Sequence, residues 1–157
     1  MDAYIIVYLL LFVAPISALI HESGHMIGSV MTGSNHVHLS IGYGKEMASF
    51  STEKVHISIH LYFFLSGQAI SERNRPYKTW ELVFISICGP LNNVIFVFLF
   101  YFIYNIIPSK YILLLLFFNG WLAITNIIPY KVNKKRSDGY IVMKAIRQHF
   151  AQRYKKR

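Results

Sequence analysis

Acidic side chains are scarce in this sequence: seven Asp and Glu stand against sixteen Lys and Arg. Charged residues of both signs fill only 15% of its 157 positions, where a soluble domain carries about 25%. That shortage excludes a surface wetted on all sides. Cysteine is down to one, Cys88, which excludes an intrachain disulfide framework and leaves a packing residue in an apolar run. No Lys or Arg precedes the first apolar segment and no clean cleavage region follows it. We therefore expect that segment to be retained and not removed as a secretory signal. Low-complexity tracts and internal repeats are also missing.

What fills the chain instead is apolar, with 54% hydrophobic and 16% aromatic residues. The fold class expected is mainly α, a polytopic membrane protein in one domain over residues 1–157. A bilayer crossing takes about 20 mostly apolar residues, and three segments reach that length. They run over about 3–31 ("AYIIVYLLLFVAPISALI…"), 80–107 and 111–128. Pro108-Ser109-Lys110 makes a short turn, so the last two should form an antiparallel hairpin.

The stretch between the first and second spans has another period. "HVHLSIGY" (36–43) and "VHISIHLYF" (55–63) alternate at every second residue, the strand signature. Gly42, Gly44 and "STEK" supply turns. The expectation is a small membrane-associated antiparallel sheet of two to four strands over about 36–65, with a fourth spanning helix in 57–70 as the weaker alternative. "SDGYIVMKAI" begins a basic C-terminal helix over about 138–155.

The net charge is +9, but its distribution points to a bilayer and not to nucleic acid. No nucleic-acid module signature is present. With three spans, Lys45, Lys54, Arg73, Arg75, Lys78 and ten basic residues between Lys131 and Arg157 share one side, and Lys110 stands alone on the other. The positive-inside bias then puts the sheet and carboxyl terminus in the cytosol and the amino terminus outside. A multi-pass protein of a bacterial cell membrane is the expected setting, with the lipid bilayer as its first partner.

Against this background "HESGH" (21–25) stands out. Two imidazoles and a carboxylate in an apolar helix cost several kcal/mol unless something satisfies them. His21 and His25 are four apart and share a helix face, the spacing at which two imidazoles bind one Zn²⁺. Glu22, beside the first, is placed to act on water there as a general base. A catalytic zinc site takes a third protein ligand. After Glu81 the only carboxylate is Asp138 and the only histidine His149. Asp138 directly follows the third span, whereas His149 lies about three turns further out, so Asp138 is the candidate. His36, His38, His56 and His60 read as surface or interfacial strand residues, a second metal site being the minor alternative.

Two polar patches interrupt the other spans. "CGPLNN" (88–93) either packs helices through Gly89 with an asparagine link or lines an active cavity. In "TNIIPY" (125–130), Asn126 and Pro129 either end the helix or shape the approach to Asp138. Asn92, Asn93 and Asn126 are thus candidate substrate-binding residues.

Taken in order, HESGH at 21–25, GPLNN at 89–93, and NIIP at 126–129 leading to SDG at 137–139 resemble the site-2 protease family of intramembrane metalloproteases. The resemblance covers nearly the whole chain. It implies zinc bound by His21, His25 and Asp138, Glu22 as general base, and Asn93 in contact with substrate or the reaction intermediate. Members commonly place the aspartate closer to the Asn-x-x-Pro patch and follow it with two glycines. Here "YKVNKKR" intervenes and Tyr140 stands at the second glycine. No PDZ or CBS module is seen. The function implied is an intramembrane zinc endopeptidase acting near the cytosolic boundary on a transmembrane or membrane-anchored peptide substrate. The alternative is a non-catalytic membrane protein, for peptide immunity, transport or zinc sensing, that retains the metal motif.

Overall fold

The computed structural model describes residues 3–64, 67–133 and 135–155. Among the described residues three helices are long and apolar enough to cross a membrane: α1 (Ala3–Met31), α2 (Thr79–Ile106) and α3 (Lys110–Ile127). Their bounds lie within one residue of those expected. A fourth helix, α4 (Asp138–Lys155), is the basic C-terminal one. Large apolar side chains such as Leu10, Phe98, Phe102, Phe117 and Trp121 point outward. An exposed apolar belt of this kind fits a membrane setting.

What α1 turns inward is a narrow polar stripe. Val13, Ser17, Ile20, His21, Gly24 and Gly28 are buried and recur at three- and four-residue intervals, one face of a helix. Gly24 and Gly28 let α2 approach closely. A Cβ on Gly24 would lie 2.8 Å from Asn92 Cβ, and one on Gly28 would lie 2.9 Å from Cys88 Sγ. Cys88 is thus a packing residue. Pro15 lacks the N–H that would bond the Leu11 carbonyl, and Leu9–Val13 relaxes into a π-helical turn there.

Between α1 and α2 lies a four-stranded sheet in the order β2-β3-β1-β4, formed by β1 (His36–Ile41), β2 (Glu46–Ser51), β3 (Val55–His60) and β4 (Gly67–Glu72). The sheet is mixed and not purely antiparallel. β1 pairs parallel with β3 in the register His38↔His56, and antiparallel with β4. Parallel neighbours need a connection of a dozen or more residues. Residues 42–54 provide it by running out to the far edge as β2. Gly42 and Gly44 turn the chain there at positive φ, 86° and 93°. β3 ends at His60 and β4 begins at Gly67, so the spanning helix considered for 57–70 does not form among the described residues. Residue 65, the expected end of the sheet segment, lies outside them, and β4 extends the sheet beyond it. Val37, Leu39 and Ile41 are buried on one face of β1.

A cation clamps the sheet to the helices. The Arg73 guanidinium donates to both oxygens of Glu81 at 2.7 and 3.0 Å, to the Thr32 carbonyl at the end of α1 at 2.8 Å, and lies over the Tyr77 ring. The carboxylate beside it holds the Arg73 pKa above its ordinary value. Glu81 also accepts the Lys78 N–H at 2.5 Å, which caps α2. The end of α1, the start of α2 and the exit of β4 are thereby tied at one end of the helix bundle, opposite the Pro108 turn.

Candidate metal centre

His21 and His25 meet Asp138 at that tied end. The two Nε2 atoms are 3.1 Å apart, His21 Nε2 is 3.1 Å from Asp138 Oδ2, and His25 Nε2 is 3.3 Å from Asp138 Oδ1. Among the described residues this is the one group of three or more His, Cys, Asp or Glu whose donor atoms converge, all within 4.8 Å. His38 and His56 stack face to face at 4.7 Å, without a third donor. His149 is exposed on the outer part of α4 and stands apart from the cluster.

The other ring nitrogen decides what the cluster can hold. His25 Nδ1–H donates to the Ile85 carbonyl at 2.8 Å, and His21 Nδ1–H donates to Asn93 Oδ1 at 2.6 Å. With Nδ1 protonated, each neutral ring presents an Nε2 lone pair. Two lone pairs and a carboxylate then face one another at close range, an arrangement of acceptors suited to a cation at its centre. Tetrahedral zinc with arms of about 2.0–2.1 Å separates its ligand atoms by roughly 3.3 Å, close to the spacings found. The residues fit a zinc ion.

Behind His21 lies a buried network that motif reading alone does not reveal. Asn93 is fully buried; its amide donates to Asn119 Oδ1 at 2.8 Å and to the Ser17 carbonyl at 3.2 Å. Asn119 in turn donates to Ser17 Oγ and the Leu115 carbonyl, both at 2.8 Å. Asn93 therefore orients His21 from within the three-helix core. The isolated polar residues Ser17 and Asn119 in apolar runs were the available signal. Asn92 donates to the Ile20 carbonyl at 2.6 Å and to Ser23 Oγ at 3.1 Å, a link between α1 and α2. Asn126 donates to the Leu122 carbonyl of its own helix at 3.0 Å. Gly89 makes room for the metal face, since a Cβ there would overlap the His25 ring.

Asp138 reaches the site despite the insertion that precedes it. Lys131–Val132 (β5) and Lys135–Arg136 (β6) pair as a hairpin, with Asn133 at φ 53°. Ser137 closes its base: the hydroxyl donates to the Ile128 carbonyl at 2.7 Å and accepts the Tyr130 N–H at 3.0 Å. The same hydroxyl accepts the Tyr140 N–H at 3.2 Å and so caps α4. The paired strands β5 and β6 close on themselves immediately before Asp138 starts α4. Gly139 permits the approach, because a Cβ there would collide with the Ile127 carbonyl.

Glu22 sits next to His21 and faces the sheet. Its Oε2 accepts the Ala69 N–H of the edge strand β4 at 2.8 Å, and Gly67 leaves space for its side chain. A general-base candidate is thus held against a strand edge, one residue from a metal ligand candidate.

A family model for peptidase family M50 matches residues 7–155. The chain belongs to peptidase family M50, the site-2 protease family. That family is one of membrane-embedded zinc metalloproteases, and the three apolar helices fit a multi-pass membrane protein. The HESGH of α1, the GPLNN of α2 and the SDG that opens α4 meet at the cluster of His21, His25 and Asp138, and the Ile127 backbone of the NIIP lies against Gly139. No curated protein matches the chain.

Proposed function

We propose that this chain is an intramembrane zinc endopeptidase that hydrolyses a peptide bond of a membrane-anchored protein or peptide precursor near the cytosolic boundary. The observation that carries this is the convergence of His21 Nε2, His25 Nε2 and the Asp138 carboxylate, with both Nδ1–H groups already committed. His21, His25 and Asp138 would hold the ion. When bound, zinc supplies Lewis acidity, lowering the pKa of water at the site to about 7 and favouring negative charge on the carbonyl oxygen. Glu22 takes the proton of the attacking water and passes it to the leaving amine. Asn93 and the Ile85 carbonyl keep both imidazoles in the binding tautomer throughout.

A helix shields its peptide bonds, so the substrate must be extended at the cleavage point. β4 is the sheet edge that touches Glu22, and in our reading an extended substrate adds to it as a further strand. The sheet and the basic tail face the cytosol in this reading. The deciding experiment joins zinc analysis of the purified protein to mass spectrometry of membrane peptides from cells carrying wild type or Glu22→Ala. Zinc near one per chain, and peptides present only with wild type, are expected. Bound zinc with identical peptide profiles would leave a zinc-binding sensor and sink the protease reading.

A further inference from the structure

An apolar groove runs along the contact of α2 and α4 and reaches Asp138 of the metal-donor cluster. Its inner part, about 520 Å³, is walled by Pro90, Ile127, Pro129, Val142 and Met143, with Asp138 at one end and Arg147 at the other. Ile87 and Ile146 also border an outer hollow of about 980 Å³ that reaches Lys78 and His149. We propose that this groove seats the apolar residues flanking the scissile bond, and that Arg147 pairs with a substrate carboxylate about four residues from that bond.

The proposal rests on the proteolytic reading of the cluster and adds the class of substrate. Three observations support it. Asp138, whose carboxylate meets both imidazoles, forms part of the groove wall, so whatever fills the inner end lies beside the reacting bond. Apart from Asp138, Ser86 and Arg147 the walls are apolar, which favours hydrocarbon side chains. Arg147 forms no ion pair among the described residues, and the only acid on its helix, Asp138, is engaged with the histidines. The outer end is therefore positive and complementary to a carboxylate.

Spacing turns this into a length. Arg147 follows Asp138 by nine residues, about 13 Å along a helix. An extended peptide covers that in roughly four residues at about 3.3 Å each. A lipid with an anionic head offers a chain and a charge as well, but its chain end would face the Asp138 carboxylate with nothing to offer it. A peptide backbone brings donors and acceptors to that end.

The test uses the full chain, loaded with zinc in nanodiscs of neutral phosphatidylcholine. The probes are N-acetyl-tetraleucine with a free carboxylate and its carboxamide. The carboxylate form should bind about tenfold tighter, the scale of one charge-assisted hydrogen bond. Arg147→Gln should erase that difference with zinc content unchanged, and Val142→Trp, which fills the groove, should weaken both probes. Equal binding of the two probes to wild type, or a difference that survives Arg147→Gln, would overturn the proposal. So would Arg147-dependent retention of phosphatidylglycerol in place of the peptide, which would assign the groove to lipid. Zinc measured on the same samples separates the two readings. Arg147-dependent binding without zinc removes the hydrolase and keeps the groove, whereas zinc without Arg147 dependence removes the groove alone.

Discussion

His21 and Asn93 face each other with Nδ1 and Oδ1 2.6 Å apart, and this contact decides which nitrogen of His21 is free to bind a metal. The bond holds the proton on Nδ1 and turns the Nε2 lone pair toward Asp138. Asn93→Ala removes the acceptor and also strips Asn119 Oδ1 and the Ser17 carbonyl of their donor. Zinc affinity should fall by about 10–100-fold, the usual cost of losing a ligand's orienting partner. Stability should drop by about 1–3 kcal/mol for the groups left unsatisfied. Zinc titration and thermal melting measure the two effects separately. Unchanged zinc affinity would mean that His21 needs no orienting group.

Glu22 has two tasks that one substitution can separate. Its Oε2 anchors β4 through the Ala69 N–H, and the proposed mechanism needs its basicity. Glu22→Gln keeps an oxygen acceptor for Ala69 but cannot take a proton. Cleavage should fall by at least about 10²–10⁴-fold, with zinc content and melting temperature near wild type. If the variant loses its zinc, Glu22 is itself a ligand. If it keeps full activity, the general base lies elsewhere.

Much of this arrangement could be read without coordinates, and the parts that could not share a cause. The spans follow from uninterrupted apolar length, and the shared face of His21 and His25 follows from their four-residue spacing. Asp138 follows from the lack of any other carboxylate after Glu81. Strand pairing is a different matter. "GQAISE" (67–72) alternates weakly, and what makes it a strand is pairing with β1 more than twenty residues earlier. The parallel register of β1 with β3 likewise depends on how β2 is routed, which no local pattern specifies. The Asn93–Asn119–Ser17 network joins positions up to 102 residues apart. A lone asparagine in an apolar helix announces that it needs a partner, but not which one.

The looped-out hairpin leads to an unusual tolerance. Ser137 bonds Ile128 and Tyr130 across its base, so the length of the loop beyond Tyr130 does not set the position of Asp138. Adding two residues at Asn133 should leave zinc affinity within about twofold. Ser137→Ala, by contrast, removes the closing bond and the cap of α4, at a cost of about 1 kcal/mol, and should weaken zinc binding although no ligand is touched. Equal effects from both changes would show that Asp138 is held by α4 packing alone.

Asp138 itself offers the sharpest comparison, because its contribution to folding is small and its contribution to the site is large. As the first residue of α4 its negative charge favours the helix terminus by about 0.3–1 kcal/mol, so Asp138→Ala should melt only slightly below wild type. For the metal the loss is of a different order. Only two imidazoles would remain, and affinity should fall further than the range of about 10–100-fold expected for an outer partner such as Asn93. His149→Ala serves as the control: it removes the other metal-ligating type of side chain on the same helix, exposed and apart from the cluster, and should leave zinc affinity unchanged. Measured side by side, the ranking should be Asp138→Ala below Asn93→Ala, and both below His149→Ala. Zinc retained by Asp138→Ala at wild-type affinity would mean that the carboxylate pairs with protonated histidines and binds no metal. The third ligand, and with it the hydrolytic reading, would then have no residue to rest on.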